Sequence, residues 1–227
     1  MKIYGQTKTS FIDYPDKIST VLFTGGCNFR CGYCHNPELV LRTGTVLEEE
    51  GIFEFLRARK KYLDAVCISG GEPTLHEGLY DFIQKVKELK YLVKLDTNGS
   101  NSKVLRKLVE GQLIDYIAMD IKAPLARYQE IVNADADMDA IKESIDIIKD
   151  SGIDYEFRTT VHKEIIGIID LLKIVKEIGN VKRYCIQNFK MTGQVLNDSG
   201  SYTSFTIDEL EEIRQTLKDH VQEIIIR

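Results

Sequence analysis

The sequence predicts an α/β fold, a curved and partly open (β/α)6 barrel, and three observations lead to it. Short apolar runs ending in small or polar residues alternate with longer segments of helical period along most of the chain. No linker, internal repeat or low-complexity tract interrupts that rhythm. Such alternation implies parallel strands joined by right-handed crossovers, and six units are too few to close an eight-stranded barrel.

Residues 1–18 read as an irregular or hairpin-like preamble, and Tyr4 to Tyr14 are expected to border the mouth of the barrel. The first core strand is 19–24 (STVLFT), rich in β-branched and aromatic residues, and a helical segment follows near 46–60. Strands are then expected at 64–69 (DAVCIS), 92–96 (LVKLD), 115–121 (DYIAMDI), 153–161 and 182–189. Helical periodicity fills 77–90, 101–111, 137–151, 164–178 and 206–219, and 220–226 reads as one more short strand. The whole of 1–227 is expected to form a single domain, with a core at 19–190 and a C-terminal extension at 191–227.

A net charge of -5 argues against nucleic acid or an anionic membrane as the main partner. The chain has no apolar run of membrane-spanning length, and Met-Lys-Ile-Tyr is not a signal peptide, so a cytoplasmic protein is expected. Its five cysteines then read as thiols and metal ligands rather than disulfides.

In folds of this class, chemistry collects at the C-terminal ends of the strands, and the unusual residues fall there. Cys27, Cys31 and Cys34 follow the first core strand, Gly70-Gly71-Glu72-Pro73 the second and Asp96-Thr97-Asn98-Gly99 the third. Asp120 and Lys122 follow the fourth, Arg158 lies late in the fifth, and Gln187 late in the sixth. Three thiols inside GGCNFRCGYCHNP do not complete a four-ligand structural zinc site. Cys67 and Cys185 sit in apolar strand cores and read as packing. The three thiols suit three corners of a cubane iron-sulfur cluster whose fourth iron is open, and a zinc site completed by His35 is the other reading.

CNFRCGYC, with aromatic Tyr33 before the third cysteine and SGGEP one βα unit later, resembles the CxxxCxxC motif of radical S-adenosylmethionine (SAM) enzymes. CHNPELV, SGGEPTL, LDTNGSN, DYIAMDIKAPL and YEFRTTV, in that order, are similar to the activating proteins of glycyl radical enzymes. The likeness is greatest to the anaerobic ribonucleoside-triphosphate reductase activating group, with pyruvate formate-lyase activating enzyme more distant. It implies a 4Fe-4S cluster on Cys27, Cys31 and Cys34 and S-adenosylmethionine at the open iron. Gly70 and Gly71 would let backbone approach the methionine amino group, and Glu72 would accept from it. Tyr33, Asp96 and Asn98 would face the cofactor, with Asp120 and Lys122 flanking its carboxylate and Arg158 as a fork for oxygens. The resemblance also admits a monovalent cation held by oxygen ligands near Asp96 and Asp120, and the sequence leaves that open.

Taken alone, GGEP is a common turn, Asp96 to Gly99 would serve as a strand end and cap, and Lys122 is a solvated charge. Order and spacing raise the three together. His35, His76 and His162 read as loop residues or hydrogen-bonders. Two departures from the family stand out: Tyr14-Pro15-Asp16 lacks the usual glycine, and Lys190 stands where relatives place a histidine. No second cysteine set is present, so one cluster is expected.

The resemblance implies an activase acting on a glycyl radical enzyme, with anaerobic ribonucleotide reductase as the partner and a flavodoxin- or ferredoxin-like protein as electron donor. The alternative is a radical SAM enzyme acting on a small molecule such as a purine or deazapurine precursor.

Overall fold

One sheet takes a strand from each of the three regions the sequence distinguishes: preamble, core and extension. The computed structural model describes residues 1–191, 193–197, 200 and 202–227. Its strands are β1 (Ile3–Ser10), β2 (Ser19–Thr24), β3 (Ala65–Gly70), β4 (Leu92–Thr97), β5 (Tyr116–Asp120), β6 (Asp154–Val161), β7 (Arg183–Asn188) and β8 (Glu223–Ile226). They are hydrogen-bonded in sequence order, with β1 and β8 as the two edges, so the barrel is open. Strands β2 to β8 are parallel, and β1 runs antiparallel to β2.

The six expected strands are present within one or two residues, and the preamble and extension each add a strand at an edge. Because β1 is antiparallel, Ile3 lies opposite Thr24 at the mouth and Ser10 opposite Ser19 at the other end. The Tyr4 end of β1 therefore lies at the mouth, and Asp13, after β1, reaches the interior cavity as well. Tyr14 packs into the lower interior, its ring centroid 5.6 Å from that of Tyr116.

The helices are α1 (Pro37–Leu41), α2 (Glu49–Arg59), α3 (Leu79–Glu88), α4 (Ser102–Glu110), α5 (Tyr128–Val132), α6 (Met138–Asp150), α7 (Ile168–Ile178) and α8 (Ile207–Leu217). Their starts follow from capping side chains. Asn101 accepts from Val104 N, Asp137 from Asp139 N and Ala140 N, and Thr206 forms a capping box with Glu209. Each such cap stabilises by about 1 kcal/mol. Two helices, α1 and α5, interrupt the expected loops; each ends on a left-handed residue, Arg42 and Asn133.

Strand alternation splits the apolar residues between two faces. Val66, Ile68, Val93, Leu95, Ile117 and Met119 face the helices in the main core. Val21, Ala65, Cys67, Tyr116 and Ala118 face the barrel interior with Tyr14 in a smaller cluster. The interior above that cluster is polar, and the site lies there.

Candidate active site

A cavity of about 310 Å³ opens at the C-terminal ends of the strands. The cysteine loop forms one wall, and β3 to β7 supply the others. Cys27, Cys31, Tyr33, Cys34, Gly70, Gly71, Asp96, Asn98, Asp120, Lys122 and Arg158 all line it, as does Gln187. Six segments far apart in sequence thus meet at one place.

Close backbone contacts hold the cysteine loop. Gly26 N donates to Leu39 O at 2.6 Å, Glu72 N to Gly26 O at 2.8 Å, and Gly71 N to Thr24 O at 2.9 Å. A Cβ on Gly71 would stand 2.1 Å from Gly26 O, and Gly70 has φ +119, so this approach requires both glycines. Arg30 N donates to Val132 O at 2.7 Å, and Leu196 N to Cys34 O at 3.0 Å, which fasten the loop from outside. Burial pushes the Cys27 thiol up to about 11 and raises Cys31 as well. Phe29 N and Asn98 Nδ2 approach Cys27 Sγ at 3.4 and 3.8 Å. Among the described residues, no three His, Cys, Asp or Glu side chains converge on a common point that would hold an ion in this side-chain arrangement. The thiols share a cavity wall.

Glu72 is the one expected contact that does not reach the cavity. It is fully buried, and its carboxylate accepts from Thr74 N at 3.0 Å, Thr74 Oγ1 at 2.5 Å, Thr97 Oγ1 at 2.7 Å and Asn98 N at 2.6 Å. Burial raises its carboxyl despite those donors. Three of these donors converge on Oε1 and one reaches Oε2, so in this arrangement the carboxylate faces protein rather than the cavity. The side chain instead ties the GGEP turn to the loop after β4.

The charged residues of β4, β5 and β6 form a chain of alternating sign. Lys94 Nζ pairs with Asp96 Oδ1, whose other oxygen lies 3.4 Å from Arg158 Nη1. Arg158 Nε donates to Asp120 Oδ1 at 2.8 Å, and Lys122 Nζ to Asp120 Oδ2 at 3.0 Å. Burial alone would raise both carboxyls, but Arg158 and then the lysines hold Asp96 and Asp120 below the usual carboxylate range. Burial would likewise lower Lys122 and Arg158, and the carboxylates outweigh it, leaving both raised well above their ordinary values. Lys94, Arg158 and Lys122 supply the positive charge around the two aspartates.

The histidines are ring-packed or hydrogen-bonded. His35 stacks on Phe189 with centroids 4.6 Å apart, His162 is buried beside Tyr33, Phe189 and Tyr202, and His76 Nε2 lies 3.0 Å from Gly25 O. Lys190 is exposed and does not line the cavity. Sequence reasoning missed Asp13, Ser69, Thr160 and Lys94. The first three line the cavity, and Lys94 stands behind Asp96. Each left some signal: Asp13 lies in the stretch expected to border the mouth, Ser69 and Thr160 stand inside SGGEPTL and YEFRTTV, and Lys94 is a polar alternate within LVKLD.

The sequence profile of the Radical SAM superfamily matches residues 21–172. A Methanocaldococcus jannaschii protein provisionally named a glycyl-radical enzyme activating enzyme is 33% identical over 99% of this chain and 95% of its own length. The pyruvate formate-lyase-activating enzyme of Clostridium pasteurianum is 32% identical over 53% of this chain and 52% of its own. The GTP 3',8-cyclase of Aquifex aeolicus is 26% identical over 75% of this chain and 56% of its own. Among solved structures, Streptococcus suis SuiB bound to S-adenosylmethionine superposes with a TM-score of 0.69 at 14% identity, over 91% of this chain. This chain spans about half of SuiB, 51% of its length, and the likeness is one of fold.

Proposed function

The chain belongs to the radical S-adenosylmethionine superfamily, and from that premise we propose that it activates a glycyl radical enzyme. It is an enzyme of a superfamily whose cofactors are a 4Fe-4S cluster and S-adenosylmethionine. One observation carries the finer reading: the match to the Methanocaldococcus activating enzyme runs almost end to end in both chains.

The residues present fit those cofactors. Cys27, Cys31 and Cys34 are soft ligands on one wall of the cavity, and no fourth cysteine lines it. A 4Fe-4S cluster held by Cys27, Cys31 and Cys34 would supply one-electron reduction of the S-adenosylmethionine sulfonium, the chemistry that starts hydrogen-atom abstraction from carbon. The protein's part is to bind, orient and exclude water. Gly70 and Gly71 admit backbone close to a ligand, and the Lys122 ammonium and Arg158 guanidinium offer donors to a carboxylate. Asp96 and Asn98 offer acceptors for hydroxyl or amino hydrogens.

The proposed partner is anaerobic ribonucleotide reductase, with a flavodoxin- or ferredoxin-like protein as donor. A small purine nucleotide is the second reading, favoured by the GTP 3',8-cyclase match. Against it, about 310 Å³ lies at the lower end of small-ligand sites, so a bound S-adenosylmethionine leaves little enclosed room for a nucleotide. A glycine on an extended loop needs only backbone access.

The test is to mix anaerobically reconstituted, reduced enzyme with S-adenosylmethionine and the partner reductase, and to record electron paramagnetic resonance. The expected outcome is a glycyl radical on the partner and one 5'-deoxyadenosine per radical, with deuterium transferred when that glycine is deuterated. Efficient turnover of a purine nucleotide, with no protein radical, would move the assignment to the second reading.

A further inference from the structure

Lys94 is 2% exposed, in a class of side chain that folding normally leaves in water. It lies on β4 in register with Cys67 of β3 and Tyr116 of β5, and neither neighbour brings a compensating carboxylate. Its ammonium stands 5.9 Å from the Tyr116 ring centroid and reaches up its own strand to Asp96 Oδ1. Residues two apart on a strand share a face, so both point into the barrel, with Lys94 one layer below Asp96.

The two cavity aspartates are held differently. Asp120 has two close partners, Arg158 Nε at 2.8 Å and Lys122 Nζ at 3.0 Å. Asp96 has Arg158 Nη1 only at 3.4 Å, so Lys94 is its close partner. Asp96 lines the cavity and Lys94 does not. Stability by itself gives no reason for a charge here. The surrounding layer of Val21, Cys67, Tyr116 and Tyr14 is one into which an apolar side chain would pack, and such replacements of buried ion pairs are often neutral or stabilising.

We propose that Lys94 is a positioning residue for the cofactor site: its buried ammonium fixes the Asp96 carboxylate facing the cavity, ready to accept hydrogens from S-adenosylmethionine. This rests on the reading that the cavity takes that cofactor. Lys94 touches no ligand itself. It sets the rotamer and preserves the charge of the group that does.

The experiment measures S-adenosylmethionine affinity by equilibrium dialysis on cluster-loaded protein carrying Lys94→Met, Lys94→Arg, Asp96→Asn or the pair Lys94→Met with Asp96→Asn. Iron content and the urea midpoint are followed in parallel. Lys94→Met is expected to weaken affinity about tenfold in the folded protein, within the usual range for directly coupled side chains, while iron content holds; its urea midpoint falls because one partner of a buried pair is removed, and the double variant, which removes both charges, recovers it. Lys94→Arg should recover most of the affinity, and Lys94→Met should add nothing once Asp96 is Asn. Wild-type affinity in Lys94→Met, or fully additive losses in the pair, overturns the proposal. Should Lys94→Met not fold, Lys94→Gln carries the same comparison. A wild-type protein that assembles its cluster but does not bind S-adenosylmethionine removes the cavity reading and the inference with it. Normal wild-type binding with an unaffected Lys94→Met removes the inference alone.

Discussion

The mouth and the lower interior of the barrel use the same kinds of side chain to opposite ends. At the mouth, Asp96, Asp120, Lys122 and Arg158 line a cavity and keep part of their surface free, with side-chain exposures of 14, 23, 17 and 11%. Below them, Glu156 is fully buried and receives both Arg227 Nη1 and Nη2 at 2.9 Å, with the Tyr116 hydroxyl at 3.3 Å. Arg183 Nη1 in turn donates to that hydroxyl at 2.8 Å and Arg183 Nε to Glu223 at 2.9 Å. A charged group inside a barrel thus signals a ligand site only where hydrogen-bonding capacity and access are left over. Within the GGEP motif Glu72 likewise turns to protein donors rather than the cavity, three on Oε1 and one on Oε2.

The thiols sharpen this contrast with the largest expected effect. Changing Cys27, Cys31 or Cys34 to alanine should abolish the cluster and all cleavage of S-adenosylmethionine, measured as iron content and 5'-deoxyadenosine. Cys67 lies in the lower cluster and Cys185 pairs with Arg158 in register, but neither lines the cavity, and burial pushes their thiols up to about 12 and about 11. Their alanine variants should keep full iron content. Loss of iron from Cys185→Ala would show that a thiol outside the cavity wall takes part in the cluster.

Next in size is Arg227→Ala, which strands the Glu156 carboxylate. Breaking a buried pair by removing one partner costs about 3–5 kcal/mol, and the 37% exposure of Arg227 lets water into the vacated place, so about 3 kcal/mol is expected by urea denaturation. Affinity for S-adenosylmethionine should survive in the folded fraction. A variant as stable as wild type would show the lower layer to be as solvated as the mouth.

The smallest effect is an acid dependence at the mouth. Asp96 and Asp120 are held low by Arg158 and the lysines against burial. A carboxyl depressed on folding stabilises above its unfolded value of about 3.9, and that stability is lost as pH falls through the lower folded value. Asp120→Asn should therefore lose less stability than wild type between pH 5 and acid below the ordinary carboxyl value, read from urea midpoints across that range. A steeper acid loss in the variant would mean that Asp120 is not the partner Arg158 needs.

Much of this was legible in the chain. Strand positions followed from apolar runs such as STVLFT and DYIAMDI, and the site from unusual residues at strand ends. In LVKLD the alternation is clear, with Val93 and Leu95 packed on helices, while the polar alternates of such a pattern normally meet solvent. Here they meet the barrel interior, and nothing in the strand's own pattern marks Lys94 as buried.

By itself the sequence determined the βα rhythm, the crowding of three thiols into one loop and the order of motifs, because these depend on local periodicity and spacing. Only the tertiary structure decided which polar groups remain free. Glu72 met Thr97 and Asn98, Arg158 met Asp96 and Asp120, and Arg227 reached Glu156, contacts between residues 25 to 71 positions apart. Hydrogen-bond capacity is a property of the assembled neighbourhood, and no residue's own place in the chain records whether a distant strand has already satisfied it.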